Sequence, residues 1–314
     1  MKVLIIGGSG FVGYYMYNQL NRKNNYIIAV TKLQNEKLNY QPDMVFDLNI
    51  LNIEMIEKVL SEFQPNLIFH LAAQSSVSIS WSRPALTFDI NVIGTINLLE
   101  SIRKTNLSTR IILIGSSEEY GNINQNDLPI VESTIPQPLN IYGISKYSQN
   151  MIAKLYVEAY NLDIVMTRSF NHIGPMQLSN FVIPSFCKQI ASLEMDKNST
   201  KLYVGNLNVR RDFTDVRDVV KAYELIAIKG IKGETYNVCS GKSYLLKDLL
   251  EFLVSKSSKN IEVIIDPNKY RPIDVYDYFG SSVLLEQLGW STEYTIQETL
   301  LDTLNYWRLK ELGD

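Results

Sequence analysis

Val3-Leu4-Ile5-Ile6-Gly7-Gly8-Ser9-Gly10-Phe11-Val12-Gly13 opens the chain with four apolar residues and a GxxGxxG run. The apolar stretch reads as a buried strand, and the glycines that follow mark the turn into a first helix. In that context each glycine has a physical task. Gly7 permits the tight turn, Gly10 lets a pyrophosphate approach the backbone, and Gly13 allows close helix–strand packing. Glycine-rich turns are common in loops without any ligand, so the position of this one between strand and helix carries the reading of dinucleotide binding.

Outward from that loop, short apolar runs at 3–6, 26–30, 44–46, 67–71, 111–114 and 164–167 read as buried strands. Helical patterns at 11–22, 52–63, 84–104 and 143–160 separate them, with Pro84 suited to a first helical turn. This alternation predicts an α/β fold, a Rossmann-type doubly wound parallel sheet. The segment 121–140 holds Pro129, Pro136 and Pro138 and reads as a loop. Beyond residue 168 the pattern changes to helices near 181–194, 215–229 and 244–257, with strand-like pieces at 201–204, 235–239 and 261–265. We expect residues 1–168 with 212–240 to form the dinucleotide-binding domain. Residues 169–211 with 241–314 would then make a smaller mixed α/β C-terminal region for substrate, closing over the edge where open α/β sheets bind ligands.

Composition narrows the function. In 314 residues, 46% are hydrophobic and 20% charged, and the net charge is −3, so no basic field points to nucleic acid or an anionic membrane. No apolar run approaches a membrane span by eye, and the N-terminal run is too short for a secretion signal. Two histidines and two separated cysteines, Cys187 and Cys239, are too few for a closed zinc site, so no metal is expected. A reducing, cytoplasmic setting is the simplest reading.

Cofactor choice is left open at the second strand. Its end, Ala29-Val30-Thr31-Lys32, offers no acid for a ribose 2′-hydroxyl and no Arg fork for a 2′-phosphate. Thr31 and Lys32 are the residues placed there, and NAD is preferred over NADP. Asp47, after the third strand, is placed either to bond an adenine amino group or as a loop acid.

The chemistry is carried by Tyr142-Gly143-Ile144-Ser145-Lys146. Four residues along a helix put a phenol and an ammonium on one face. A free phenol, with a pKa of ~10, stays protonated at neutral pH and so offers no base there, and a neighbouring lysine favours its anion. Ser116, at the end of the fifth strand, can hold the substrate oxygen that Tyr142 protonates.

These motifs, with His70-Leu71-Ala72-Ala73 and Asn91-Val92-Ile93-Gly94-Thr95, resemble the extended short-chain dehydrogenase/reductases over nearly the whole chain. Within them the chain is most similar to the GDP-4-keto-6-deoxy-mannose reductase and GDP-mannose 4,6-dehydratase group. The resemblance lies in Gly115-Ser116-Ser117-Glu118-Glu119-Tyr120-Gly121, Arg168-Ser169-Phe170-Asn171-His172-Ile173-Gly174-Pro175, Arg211-Asp212-Phe213-Thr214-Asp215 and Arg271-Pro272.

The resemblance implies Ser116, Glu118, Tyr142 and Lys146 as catalytic residues, and Phe11, Val12, Leu48, Leu71, Ala72, Ala73 and Asn91 as further cofactor contacts. It implies Ser76, Asn171, Lys188, Arg211 and Arg271 around a GDP-sugar, and a homodimer formed through paired helices. His70 and His172 read as structural. The implied reaction interconverts a C4 hydroxyl and a C4 ketone on a mannose-type sugar, hexose or heptose, for surface polysaccharide synthesis. A 4,6-dehydratase using Glu118 as its C5 base is the alternative. A catalytically silent dinucleotide-binding regulator is the non-enzymatic one, and retention of Ser116, Tyr142 and Lys146 together argues against it. A P-loop is excluded because Tyr236 stands where its first glycine belongs, and no nucleophile elbow is present.

Overall fold

The computed structural model describes residues 1–23, 25–196, 198–270 and 273–313. Strands β1 (Lys2–Ile6), β2 (Ile27–Lys32), β3 (Met44–Asp47), β4 (Leu67–His70), β5 (Arg110–Ser116) and β6 (Asp163–Ser169) form where the apolar runs placed them. A seventh, Thr235–Val238, pairs with β6. All seven are parallel, in the order Thr235–Val238, β6, β5, β4, β1, β2, β3.

The sequence-level reason is burial on both faces. Val3, Leu4, Ile5 and Ile6 are all buried, but Val3 and Ile5 join one core and Leu4 and Ile6 the other. The chain leaves β1 toward β2 and β3, then crosses back to β4 and beyond. The switch point therefore lies between β1 and β4, and the crevice outside their C-terminal ends is where such sheets take ligands.

Helix α1 (Phe11–Asn21) follows the glycine loop, and α2 (Ile53–Phe63) shows how locally the helices are specified. Asn52 caps α2 by accepting from the Met55 N–H, Ile56, Val59, Leu60 and Phe63 line its buried face, and Gln64 ends it in the left-handed conformation. The run expected at 84–104 is helical over Pro84–Thr105 but carries a π turn at Asp89–Ile93. Contrary to the sequence reading, this helix is long and apolar enough to cross a membrane by length and composition. Half of the relevant window is buried, and Leu98, Leu99 and Ile102 pack into the core beneath the sheet, which is how a core helix passes the same criterion.

The second lobe has its own apolar core, built from Ile183, Cys187, Ile190, Leu250, Leu253, Leu300 and Leu304 among others. Its short strands pair as Lys201–Val204 with Glu262–Ile265, Asn171–Ile173 with Phe213–Asp215, and Arg210–Arg211 with Tyr244–Leu245 and Asp277–Tyr278. Three helices not expected from the sequence are α3 (Val77–Ser82), Val283–Gln287 and the C-terminal helix Ile296–Glu311.

Candidate active site

The glycine loop has the geometry of an anion cradle. Gly7 has φ +87°, and a Cβ there would lie 2.7 Å from the Ala72 nitrogen at the end of β4. On Gly13 it would lie 2.4 Å from the Gly8 carbonyl oxygen. Gly10 differs: an added Cβ meets only the Gly7 oxygen, at 3.4 Å, so the space above it is open. Gly10 is also the N-cap of α1 with no side-chain cap, leaving the first helical N–H groups available to a phosphate. The His172 ring stacks on Phe11 of the helix that follows the loop, centroids 6.1 Å apart.

The second strand braces this loop rather than presenting free ligands. Thr31 is buried, its hydroxyl accepting the Gly7 N–H (3.1 Å) and its carbonyl the Gly8 N–H (2.8 Å). The Tyr40 hydroxyl donates to the Gly8 carbonyl. Lys32 pairs with Asp47 and also donates to the Leu33 and Gln34 carbonyls. The strand end itself carries no acid, as the sequence indicates. Glu36, four residues beyond the strand, folds back so that its carboxylate accepts from Ser9 Oγ (2.5 Å) and the Leu33 N–H (3.0 Å). Nothing in strand periodicity announces a residue that arrives through a loop.

Other cofactor candidates converge on the same crevice. Leu71, Ala72 and Ala73 are half-buried just past β4, Phe11 and Val12 are half-buried at the start of α1, and Leu48 is buried past β3. Asn91 is spent within the protein. Its amide donates to the Gln74 carbonyl and Ser145 Oγ, and its oxygen accepts the Gln74 N–H. It sits in the π turn and fixes the loop after β4 against the Tyr142 helix, which makes it a positioning residue.

That helix, Ile141–Tyr160, starts at Asn140, whose side-chain oxygen accepts the Gly143 N–H at 2.8 Å. Tyr142 therefore lies in the first turn, buried, with Ser116 at the end of β5 beside its phenol. Burial raises its pKa above that of an ordinary phenol; Ser116 opposes the shift and the charges of Glu118 and Glu119 add to it. Lys146, one turn on, is buried and donates to the Ile114 carbonyl (2.8 Å) and Gln149 Oε1 (2.9 Å). Burial brings its pKa down to about 8, against the opposing pull of Glu119. His70 is held neutral by burial and by the Lys146 charge, with a pKa of about 3, and its Nε2 meets Thr95 Oγ1 at 3.1 Å. Burial lowers the His172 pKa as well.

Glu118, Asn140, Asn171, Arg211, Trp81 and Tyr278 line a cavity next to Ser117. Asn140 Nδ2 donates to Glu118 Oε2 at 2.8 Å, and Asn171 Nδ2 to the Asp212 carbonyl at 3.1 Å. Arg211 donates to the Arg210 and Val275 carbonyls and pairs with Asp274. Ser76 caps α3, whose Val77 and Trp81 form the apolar wall of the cavity. Lys188 does not join them: it is exposed on the helix Val182–Met195, its Nζ 5.5 Å from the Trp307 ring centroid. Arg271 lies outside the described residues.

Comparison with known proteins gives this arrangement a context. The GDP-mannose 4,6-dehydratase family matches the chain over residues 4–303. The GDP-6-deoxy-D-mannose reductase of Pseudomonas aeruginosa is 35% identical over 244 residues, 77% of this chain and 80% of that one. The GDP-6-deoxy-D-talose 4-dehydrogenase of Aggregatibacter actinomycetemcomitans is 29% identical over 314 residues, 100% of both. Among solved structures, RMD from Pseudomonas aeruginosa complexed with NADPH has a TM-score of 0.87 at 30% identity, covering 98% of this chain and 99% of that one. The chain belongs to the GDP-mannose 4,6-dehydratase family of extended short-chain dehydrogenase/reductases, and it is a nucleotide-sugar oxidoreductase that works with NAD or NADP.

Proposed function

We propose that this enzyme interconverts a C4 hydroxyl and a C4 ketone on a GDP-linked, mannose-type sugar in the cytoplasm, as a step of surface polysaccharide synthesis. The observation that carries the reading is the placing of buried Tyr142 and Ser116 beside the cavity that Ser117 and Asn140 line, with Lys146 buried one helical turn behind. Residues 1–168 with 212–240 would hold the dinucleotide, and residues 169–211 with 241–314 the nucleotide sugar.

The dinucleotide, seated on Gly7, Gly10 and Gly13, supplies hydride transfer. Ser116 holds the sugar O4 and Tyr142 gives it a proton. A phenol whose pKa is raised by burial stays protonated at neutral pH, which suits the reducing direction. Lys146 places a positive charge behind that phenol and steadies the anion left after transfer. Asn171 and Arg211 offer donors to the diphosphate. Glu36 supports NAD over NADP, because its carboxylate lies on Ser9 of the glycine loop, where a 2′-phosphate would meet like charge. The exposed apolar stripe Ile144, Met151 and Leu155, with Leu86 and Ile93 on the neighbouring helix, supports a homodimer.

A 4,6-dehydratase is the second reading, favoured by the place of Glu118 on the cavity wall. The test supplies GDP-mannose and, separately, its 4-keto-6-deoxy derivative, following nicotinamide absorbance and product mass. Stoichiometric cofactor turnover with a change of two hydrogens supports the proposal. Loss of one water from GDP-mannose without net cofactor change refutes it.

A further inference from the structure

Gly241-Lys242-Ser243 spells the end of a P-loop, but the anion held by its turn belongs to the protein itself. Asp212 is fully buried, and its carboxylate accepts four hydrogen bonds. Ser240 gives Oδ1 its N–H at 2.8 Å and its Oγ at 2.7 Å. Oδ2 takes the Gly241 N–H at 3.0 Å and the Gly280 N–H at 3.3 Å. Gly241 has φ +73°, a left-handed conformation that glycine adopts without strain. Successive N–H groups in such a turn cradle an anion, here a carboxylate of the same chain.

The Asp212 backbone extends the connection. Its N–H donates to the Tyr278 carbonyl at 3.0 Å, and its carbonyl accepts from Asn171 Nδ2 at 3.1 Å. Asp212 stands between two short strands. Arg210–Arg211 pairs with Tyr244–Leu245 and Asp277–Tyr278, and Phe213–Asp215 pairs with Asn171–Ile173. Asn171, Arg211 and Tyr278 all line the cavity, and Asp212 bonds to or adjoins each of them. The Tyr278 hydroxyl in turn donates to the carbonyl of Ser117, the neighbour of Ser116.

All four donors to the carboxylate are neutral, and a buried charge held by neutral groups is costly unless every bond is kept. The charge therefore selects one arrangement of the segments that meet on it. We propose that Asp212, which has no exposed surface, is a positioning residue for the nucleotide diphosphate: it holds Asn171 and Arg211 in register with the turn at 240–241 and with Gly280. This rests on the reading that Asn171 and Arg211 meet the diphosphate.

The test measures GDP binding to the whole protein by calorimetry, beside NADH binding and steady-state reduction of GDP-4-keto-6-deoxy-mannose. Asp212→Asn keeps the shape and one oxygen but turns an NH2 group onto part of the donor set. It should weaken GDP binding about tenfold or more, the equivalent of one charge-assisted hydrogen bond lost. The KM for the sugar nucleotide should rise alongside, with kcat and NADH affinity within twofold. A merely structural role moves kcat and NADH affinity together with GDP affinity. That result, or unchanged GDP binding by folded Asp212→Asn, overturns the inference. Should Asp212→Asn not fold, Ser240→Ala removes one bond and leaves the charge. It should weaken GDP binding about threefold with NADH binding unchanged, and unaltered GDP binding there overturns the inference. Normal GDP binding by both Arg211→Ala and Asn171→Ala refutes the diphosphate reading. Weakened binding by those two beside an unchanged Asp212→Asn refutes Asp212 alone.

Discussion

Asn140 joins Glu118 to Tyr142: its amide donates to the Glu118 carboxylate at 2.8 Å, and its oxygen caps the helix whose first turn carries the phenol. One side chain thus sets both the acid on the cavity wall and the phenol beside it. Asn140→Ala should cost about 1 kcal/mol as a lost helix cap and release Glu118 as well.

The chemistry separates at these two residues. Tyr142→Phe should lower turnover by about 10²–10⁴-fold, the usual contribution of a general acid. Glu118→Gln should cost far less, since redox at C4 moves no C5 proton. Steady-state kinetics on both variants checks this. An inactive Glu118→Gln enzyme with intact Tyr142 would favour dehydration instead.

Gly10 and Gly13 predict opposite phenotypes. Gly10→Val should abolish dinucleotide binding while the melting temperature holds, because the added carbons enter open space above the loop. Gly13→Ala drives a Cβ into the Gly8 backbone and should lower stability by about 1–3 kcal/mol. Fluorescence titration with NADH and thermal unfolding distinguish them. A folded Gly10→Val variant that binds normally would remove the pyrophosphate assignment.

Glu36 predicts cofactor preference. Glu36→Gln removes the like charge while keeping an acceptor for Ser9, and should improve NADPH affinity relative to NADH by about tenfold, or about 1.4 kcal/mol. Direct titration of both cofactors measures it. An unchanged ratio would mean that the 2′ position lies elsewhere.

The apolar stripe predicts assembly. Leu155 is 58% exposed and shares a helix face with Ile144 and Met151. Leu155→Glu should turn a dimer into a monomer in solution without loss of fold, as read by sedimentation. A wild-type monomer at micromolar concentration would contradict the proposal.

What the sequence discloses and what it hides divide along physical lines. Buried parallel strands are continuous apolar runs, so β1, β2, β4, β5 and β6 stand out without help from context. Tyr142 and Lys146 share a helix, so their spacing speaks directly. Glu36 and Glu119 reach Ser9 and the Ser116 N–H through turns, where one residue's direction depends on the path of the chain around it. The strands at 171–173, 210–211 and 213–215 are too short to show any period. The C-terminal helix was marked by the Thr295-x-x-Glu298 capping box, which the structure contains, but Thr299 and Thr303 on its buried face dilute the apolar stripe. Lys188 shows the opposite failure: a cation in a plausible stretch lies against Trp307, on a face that only the packing of two distant helices defines.

The sheet's last strand, Thr235–Val238, joins β6 only after roughly 65 residues, part of the second lobe and the helix Val216–Lys229, have intervened. At about 5–20 residues per second, a ribosome leaves that edge open for some 3–13 seconds. Through that interval β6, an apolar strand with unpaired backbone groups, is a template for any other strand. The order of synthesis thus makes the nascent chain most vulnerable to mispairing after its glycine loop exists but before its last sheet strand is made.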